Sequence, residues 1–234
     1  MRLDSRTRLL PALLAVALAC PAAASAQSTG GVTAPPPQPA ADIALVASPH
    51  ALLGREAVLS GTIARRARGR VLRVQRYDEA AKRWRSEART VIGRKGRFSV
   101  RWSPRVLGQQ RLRATLQRRR SASVTSASPE IGVRVFRPGI ATWYGPGLYG
   151  NTTACGQKLT RELVGVAHKK LPCGTLVEVS YAGRSIVVPV VDRGPFVQGR
   201  TWDLTSAAAE QIGFKTTARI GALVQTARRT AQSR

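Results

Sequence analysis

Most of the side chains in this sequence that could do chemistry fall after residue 138. Two aspartates, Asp192 and Asp203, and one imidazole, His168, stand there with the amide of Gln157, the guanidinium of Arg193 and the phenol of Tyr144. Carboxyl and imidazole groups are the usual carriers of proton transfer in catalysis. Each also has a structural use. Asp192 precedes Arg193-Gly194-Pro195, where an Asp side chain commonly bonds the amides of a turn. Asp203 stands just ahead of a helix start at Thr205, where the helix dipole favours negative charge. His168 is the one histidine in this part of the chain, and a lone histidine serves structure as readily as catalysis.

The elements that must position these groups begin with an export leader. Arg2, Arg6 and Arg8 precede an apolar run from Leu9 to Ala19, and the small residues Ala24-Ser25-Ala26 end before Gln27, the layout of a secretory signal. The run is too short to span a bilayer, so no transmembrane segment is expected. Cys20 after Leu18-Ala19 offers a lipid-anchor alternative, but Ala17 stands where such a signal usually carries Leu, and secretion into the cell envelope is the favoured reading. Removal of the leader leaves Cys155 and Cys173, an even count that in an exported chain argues for a disulfide. Two Cys and two His, His50 and His168, cannot make the usual four-ligand zinc site, so neither a metal nor a cofactor is expected.

The formal charge of +26 falls only slightly on removal of the leader. Charge of this size suggests a polyanionic partner. Export makes nucleic acid an unsuitable one and points to anionic wall polymers, lipid headgroups or the carboxylates of peptidoglycan stems. The compositional alternative is a GC-rich genome that places Arg wherever a solvated cation is tolerated.

Residues 27–40 form a Pro-rich linker, read as a disordered spacer. From 41 to 137 apolar and polar residues alternate with period 2. Phe98, Val100 and Trp102 oppose Arg97, Ser99 and Arg101, while Leu112, Ala114 and Leu116 oppose Arg111, Arg113 and Thr115. The pattern resembles an immunoglobulin-like β-sandwich without the antibody disulfide. Arg fills most outward positions from Arg65 to Arg120. With no aromatic residue expected among the cations as a stacking platform, a solvated face is favoured over a dock for anionic polymer. Phe136-Arg137-Pro138-Gly139 breaks the pattern. Beyond it, runs at 140–144, 164–167, 175–181, 185–191 and 218–226 read as strands, and Thr205, Ser206 to Ile212 and Gly213 read as cap, body and stop of one helix. So many short strands in so small a domain suggest a closed barrel. The fold expected is all-β: a sandwich over 41–137, a six-stranded barrel with one short helix over 138–227, and a basic tail over 228–234, most simply as a monomer.

Five stretches carry a family likeness: Gly139-Ile140-Ala141-Thr142-Trp143-Tyr144-Gly145, Thr153-Ala154-Cys155-Gly156-Gln157, Ala167-His168-Lys169-Lys170-Leu171-Pro172-Cys173-Gly174-Thr175, Asp192-Arg193-Gly194-Pro195-Phe196 and Asp203-Leu204-Thr205. In this order they resemble the RlpA-like (rare lipoprotein A) double-psi β-barrels. The resemblance implies peptidoglycan glycan strands as partner and lytic transglycosylase chemistry. In that chemistry an acid protonates the bridging oxygen while an oxocarbenium-like centre develops at C1, and the sugar's own C6 hydroxyl closes on C1 to leave a 1,6-anhydro end. It implies Asp192 as the acid/base and His168 as its partner or a sugar contact, with Asp203 matching a carboxyl that expansins and related barrels retain. Tyr144 and Arg193 are expected to touch substrate, and Trp202 to be packing. The departure is Gln157, where many members have Glu. An amide binds a hydroxyl but transfers no proton, so a non-hydrolytic, expansin-like binding module is the alternative function.

Overall fold

The computed structural model describes residues 42–117 and 124–225. The leader, the linker, Cys20, Arg118 to Arg120 and the basic tail lie outside these residues. Among the described residues no helix is long and apolar enough to cross a membrane.

The first half is a two-layer sandwich. One layer is antiparallel, with β1 (Ile43–Ala47), β3 (Ala57–Ile63) and β6 (Arg97–Trp102) in that order. The other orders β5 (Arg83–Val91), β4 (Val71–Asp78), β7 (Gly108–Gln117) and the start of β9 (Ile131–Tyr144). The short β2 (His50–Leu52) lies parallel to β9, and β8 (Val124–Ala127) pairs with β7. Alternation decides which faces meet: Ile43, Leu59, Leu72, Val74, Leu112, Val133 and Val135 are sealed between the layers. The layers approach closely at Gly61, where a Cβ would lie 2.0 Å from the Ala44 carbonyl oxygen and 2.4 Å from the Phe98 ring.

The outer face of the second layer departs from expectation in one respect. Aromatic rings do stand among its cations: Tyr77 and Trp84 are cross-strand partners, with the Arg111 guanidinium 4.5 Å from the Tyr77 centroid and that of Arg113 4.0 Å from the Trp84 centroid. The two rings lie close in sequence on either side of a hairpin, and only pairing brings them together.

The expected break at Phe136 to Gly139 is absent. β9 runs unbroken for 14 residues and changes partners midway, pairing with β7 up to Val135 and with β14 (Ala218–Val224) from Arg137. Ladders on both flanks override the local preference of Pro138-Gly139. Gly139 is needed for room, since a Cβ there would meet the Trp202 indole at 2.9 Å.

The second half of β9 opens a closed barrel. Around the ring follow β13 (Trp202–Thr205), β10 (Val166–Ala167), β12 (Arg184–Asp192), β11 (Leu176–Tyr181) and β14, which returns to β9. Two pairings are parallel, β13 with β9 and β10 with β12, and the others are antiparallel. Closure leaves no edge to template aggregation. Val166, Val177, Val179, Val188, Val190 and Leu204 fill the interior. The helix α1 (Ser206–Gln211) packs Ala208 and Ala209 onto that core, capped by Thr205, whose hydroxyl accepts from the Ala208 amide. The strand expected over 164–167 shortens to Val166–Ala167.

Sandwich and barrel meet across a polar seam. Arg134 Nε donates to Glu178 Oε2 at 2.6 Å, and His50 Nδ1 lies 2.9 Å from Ser180 Oγ.

Gly61→Ala tests the packing of the sandwich. Because backbone lies in the path of the new methyl, urea unfolding should show a loss of about 1–3 kcal/mol, the usual cost of overpacking. A change under about 0.5 kcal/mol, typical of surface substitutions, would contradict the close approach.

Candidate active site

Strand register assembles the site. The parallel pairing of β13 with β9 sets Asp203 opposite Thr142 and Thr205 opposite Tyr144. The two-residue β10 then joins this pair to β12, because Ala167 is the partner of Asp203 on one side and of Asp192 on the other. Residues from three separate stretches are thus forced to one end of the barrel.

Asp192 is held firmly. Its Oδ1 accepts the backbone N–H groups of Ala154 and Arg193, each at 2.8 Å. The first of these bonds ties the loop bearing Cys155 and Gln157 to the barrel wall. The same loop is anchored a second time by the disulfide from Cys155 to Cys173.

Asp203 is in a different environment. Its Oδ1 is buried without a hydrogen-bond partner, and so are Thr142 Oγ1 and the Tyr144 hydroxyl. Buried polar atoms are normally satisfied. Here three of the four unsatisfied ones among the described residues fall on one strand pair. Burial raises the Asp203 carboxyl above its ordinary value of 3.8. The Thr142 hydroxyl, which faces the carboxyl without a well-formed hydrogen bond, and the Arg200 charge oppose that shift, and the Asp192 charge adds to it. Burial likewise raises the Tyr144 phenol, helped by the charge of Asp192, which it faces without a well-formed hydrogen bond. Tyr144 therefore remains a neutral donor. The two carboxyls are neighbours with different surroundings, one braced by amides and the other desolvated.

His168 sits beside them with both ring edges constrained. Its Nδ1 accepts the amides of Lys170 and Leu171 at 3.2 and 3.0 Å, which puts the ring proton on Nε2. The ring tilts over Trp202 at 4.5 Å, and burial, then the charges of Arg193 and Lys169, lower its pKa. It is a neutral imidazole shaping a turn. Trp202 is buried packing, as expected. Arg193 folds back onto its own domain, donating to the His168 carbonyl and lying 3.3 Å from Cys173 Sγ. Gln157 is exposed on the tethered loop; only its backbone is bonded, to Thr153.

The structure thus gathers Tyr144, Asp192, Asp203 and His168, and leaves Gln157 and Arg193 on the surrounding loops. Sequence reasoning missed Thr142. The available signal was the Thr142/Tyr144 alternation, two polar groups on one face of a barrel strand. It also gave no role to Phe196, which is 81% exposed in the loop after Asp192. No group of three metal-ligating side chains occurs among the described residues.

The raised carboxyl has a consequence for stability. A group whose folded pKa lies above its unfolded value costs stability once pH exceeds the unfolded value, and the cost grows until the folded value is passed. Asp203→Asn should therefore stabilise the protein near neutral pH and lose that advantage on acidification below about 3.8. Thermal melts of parent and variant between pH 3 and pH 8 check this; a destabilised variant at neutral pH would contradict it.

The matches to known proteins fall on this half of the chain. Residues 137–224 match the family model described as lytic transglycolase. The probable endolytic peptidoglycan transglycosylase RlpA of Synechocystis is 41% identical over 95 residues, which cover 40% of this chain and 30% of that protein. The corresponding protein of Aquifex aeolicus is 47% identical over 78 residues, 32% of this chain and 34% of its own. Endolytic peptidoglycan transglycosylase RlpA of Neisseria meningitidis is 34% identical over 112 residues, 47% of each chain. The chain spans less than half the length of these relatives. Residues 137–224, which hold the closed six-stranded barrel, thus match the lytic transglycolase family model and are similar to these RlpA proteins.

Proposed function

We propose that this protein is an exported lytic transglycosylase that cleaves peptidoglycan glycan strands to 1,6-anhydro ends. The observation that carries the reading is the pair of unlike carboxyls, Asp192 and Asp203, beside buried unsatisfied hydroxyls in a barrel whose relatives are named for this activity.

Sequence likeness assigns proton transfer to Asp192. The environments favour dividing the work. Asp203, whose carboxyl burial shifts upward, is assigned the acid's part: in its protonated form it gives the proton to the bridging oxygen as the bond from C1 breaks. Asp192, a carboxylate fixed by two amides, stabilises the positive charge growing at C1. The C6 hydroxyl then bonds C1, and its proton returns to Asp203, so one acid serves both halves. Tyr144 and Thr142 orient sugar hydroxyls, and the neutral His168 holds the turn beside Asp192. The leader read at residues 1–26 supports a substrate outside the cytoplasm and a location in the cell envelope.

Gln157 favours the second reading, a barrel that binds glycan without cutting it. Its exposed amide bonds none of the carboxyl cluster, and this supports turnover without it.

Release of anhydro ends from purified sacculi, read by mass spectrometry, separates the two. Asp203→Asn should lose on the order of 10² to 10⁴ in rate, the usual contribution of a positioned acid, with glycan binding retained. Asp192→Asn should lose rate as well, and Gln157→Glu should change it little. Near-zero release by the parent with rescue by Gln157→Glu would contradict the proposed roles and leave the binding module.

A further inference from the structure

The outer face of the sandwich's second layer holds cations that no carboxylate among the described residues neutralises. Arg73 on β4 and Arg89 on β5 are direct cross-strand partners, and Arg113 on β7 stands opposite Gln75, two residues along from Arg73. Adjacent strands lie about 4.8 Å apart, so three guanidinium-bearing positions crowd onto three neighbouring strands. Like charges directly opposite one another destabilise a sheet. Among the described residues no carboxylate pairs with any of the three, and Arg113 donates its Nε only to the Gln75 amide oxygen, at 3.0 Å. Arg73 Nε is, besides, a buried donor with no acceptor, the one orphan of its kind among the described residues outside the barrel site. The acids of this face are at its other end, where Glu130 and Glu79 hold Arg111 at 2.8 and 3.2 Å.

The neighbours of these cations narrow the partner. Val71 and Val91, themselves paired, lie two residues from Arg73 and Arg89 and are 47% and 60% exposed. The face thus presents guanidiniums beside a small apolar fringe. Its aromatic rings offer no open stacking surface, because the guanidiniums of Arg111 and Arg113 already cover Tyr77 and Trp84. A single-stranded nucleic acid, which needs bare rings for its bases, is poorly served. A chain carrying carboxylates spaced by methyl groups is well served, since guanidinium forks match carboxylates in two-bond geometry.

We infer that this face docks the stem peptides of peptidoglycan, binding their carboxylates through Arg73, Arg89 and Arg113 and their alanine methyls against Val71 and Val91. The inference rests on the reading that the barrel acts on the same polymer. The sandwich would then hold the wall while the barrel works on its glycan, and binding would weaken with salt, as it does for exposed charge.

Co-sedimentation of the full chain tests this with two forms of sacculi stripped of attached polymers: one carrying stems and one with the stems removed by an amidase. The parent should bind stem-bearing sacculi at least tenfold more tightly than denuded ones, and less tightly as salt rises. Arg73→Gln/Arg89→Gln should erase that difference, while Arg73→Lys/Arg89→Lys, which keeps charge and loses the fork, should fall between. Circular dichroism of both variants ensures that lost binding is not lost fold. Equal binding by parent and Gln variant, equal binding to both forms of sacculi, or displacement by a single-stranded oligonucleotide at concentrations where a soluble muropeptide has no effect would each overturn the inference. Anhydro-end release on denuded strands reports the barrel separately, so failure of the catalytic reading and failure of the docking face are distinguishable.

Discussion

The parallel pairing of β13 with β9 is the constraint on which the rest of the barrel depends. It closes the ring of strands, and by its register it puts a carboxyl, Asp203, inside the wall opposite Thr142. Taking a carboxylate out of water costs free energy, and a raised pKa is how a protein relieves that cost. The same strand ends at Thr205, whose hydroxyl caps α1 and also bonds Gly165 of the incoming loop at 3.1 Å. One short strand therefore fixes the acid, the helix and the approach to β10. Stability given up at such a position is the usual cost of a reactive group.

β9 extends this order beyond the barrel. Its first half is the last strand of the sandwich and its second half the first of the barrel, and both belong to one compact unit. The seam adds polar specificity. Glu178, nearly buried, takes the guanidinium of Arg134, and His50 packs edge-on against Phe136 at 5.2 Å while meeting Ser180. Burial lowers the His50 pKa, against the pull of Glu178, so the seam is built around a neutral ring. A cationic face and the carboxyl cluster of the barrel are joined in this way by one continuous strand.

Alternation made the sandwich legible, because one face of each strand must be dry and the other wet, and Phe98, Val100, Leu112 and Ala114 obey that rule. The helix was legible to within a residue from Thr205 and Gly213, since caps are local chemistry. Pro138-Gly139 misled because a break signal describes local preference, whereas ladders on both sides of β9 are tertiary. Within the site, Asp192, Asp203, His168 and Tyr144 were visible as residue types and motifs. The division of labour proposed for them was not, because it depends on which carboxyl is desolvated and which is braced by amides, and spacing along the chain carries neither. Thr142 was hidden for the same reason, and the Tyr77–Trp84 pair because it exists only across a pairing.

The central claim is that burial on β13 raises the Asp203 carboxyl above its ordinary value, with the neighbouring charge of Asp192 adding to the shift. Carbon-detected NMR titration of the aspartate carboxyls in the parent and in Asp192→Asn tests this directly. The account predicts that Asp203 titrates above 3.8 in the parent and moves part of the way back when the neighbouring charge is removed. An Asp203 that titrates at or below its ordinary value, or that does not respond to Asp192→Asn, would contradict it.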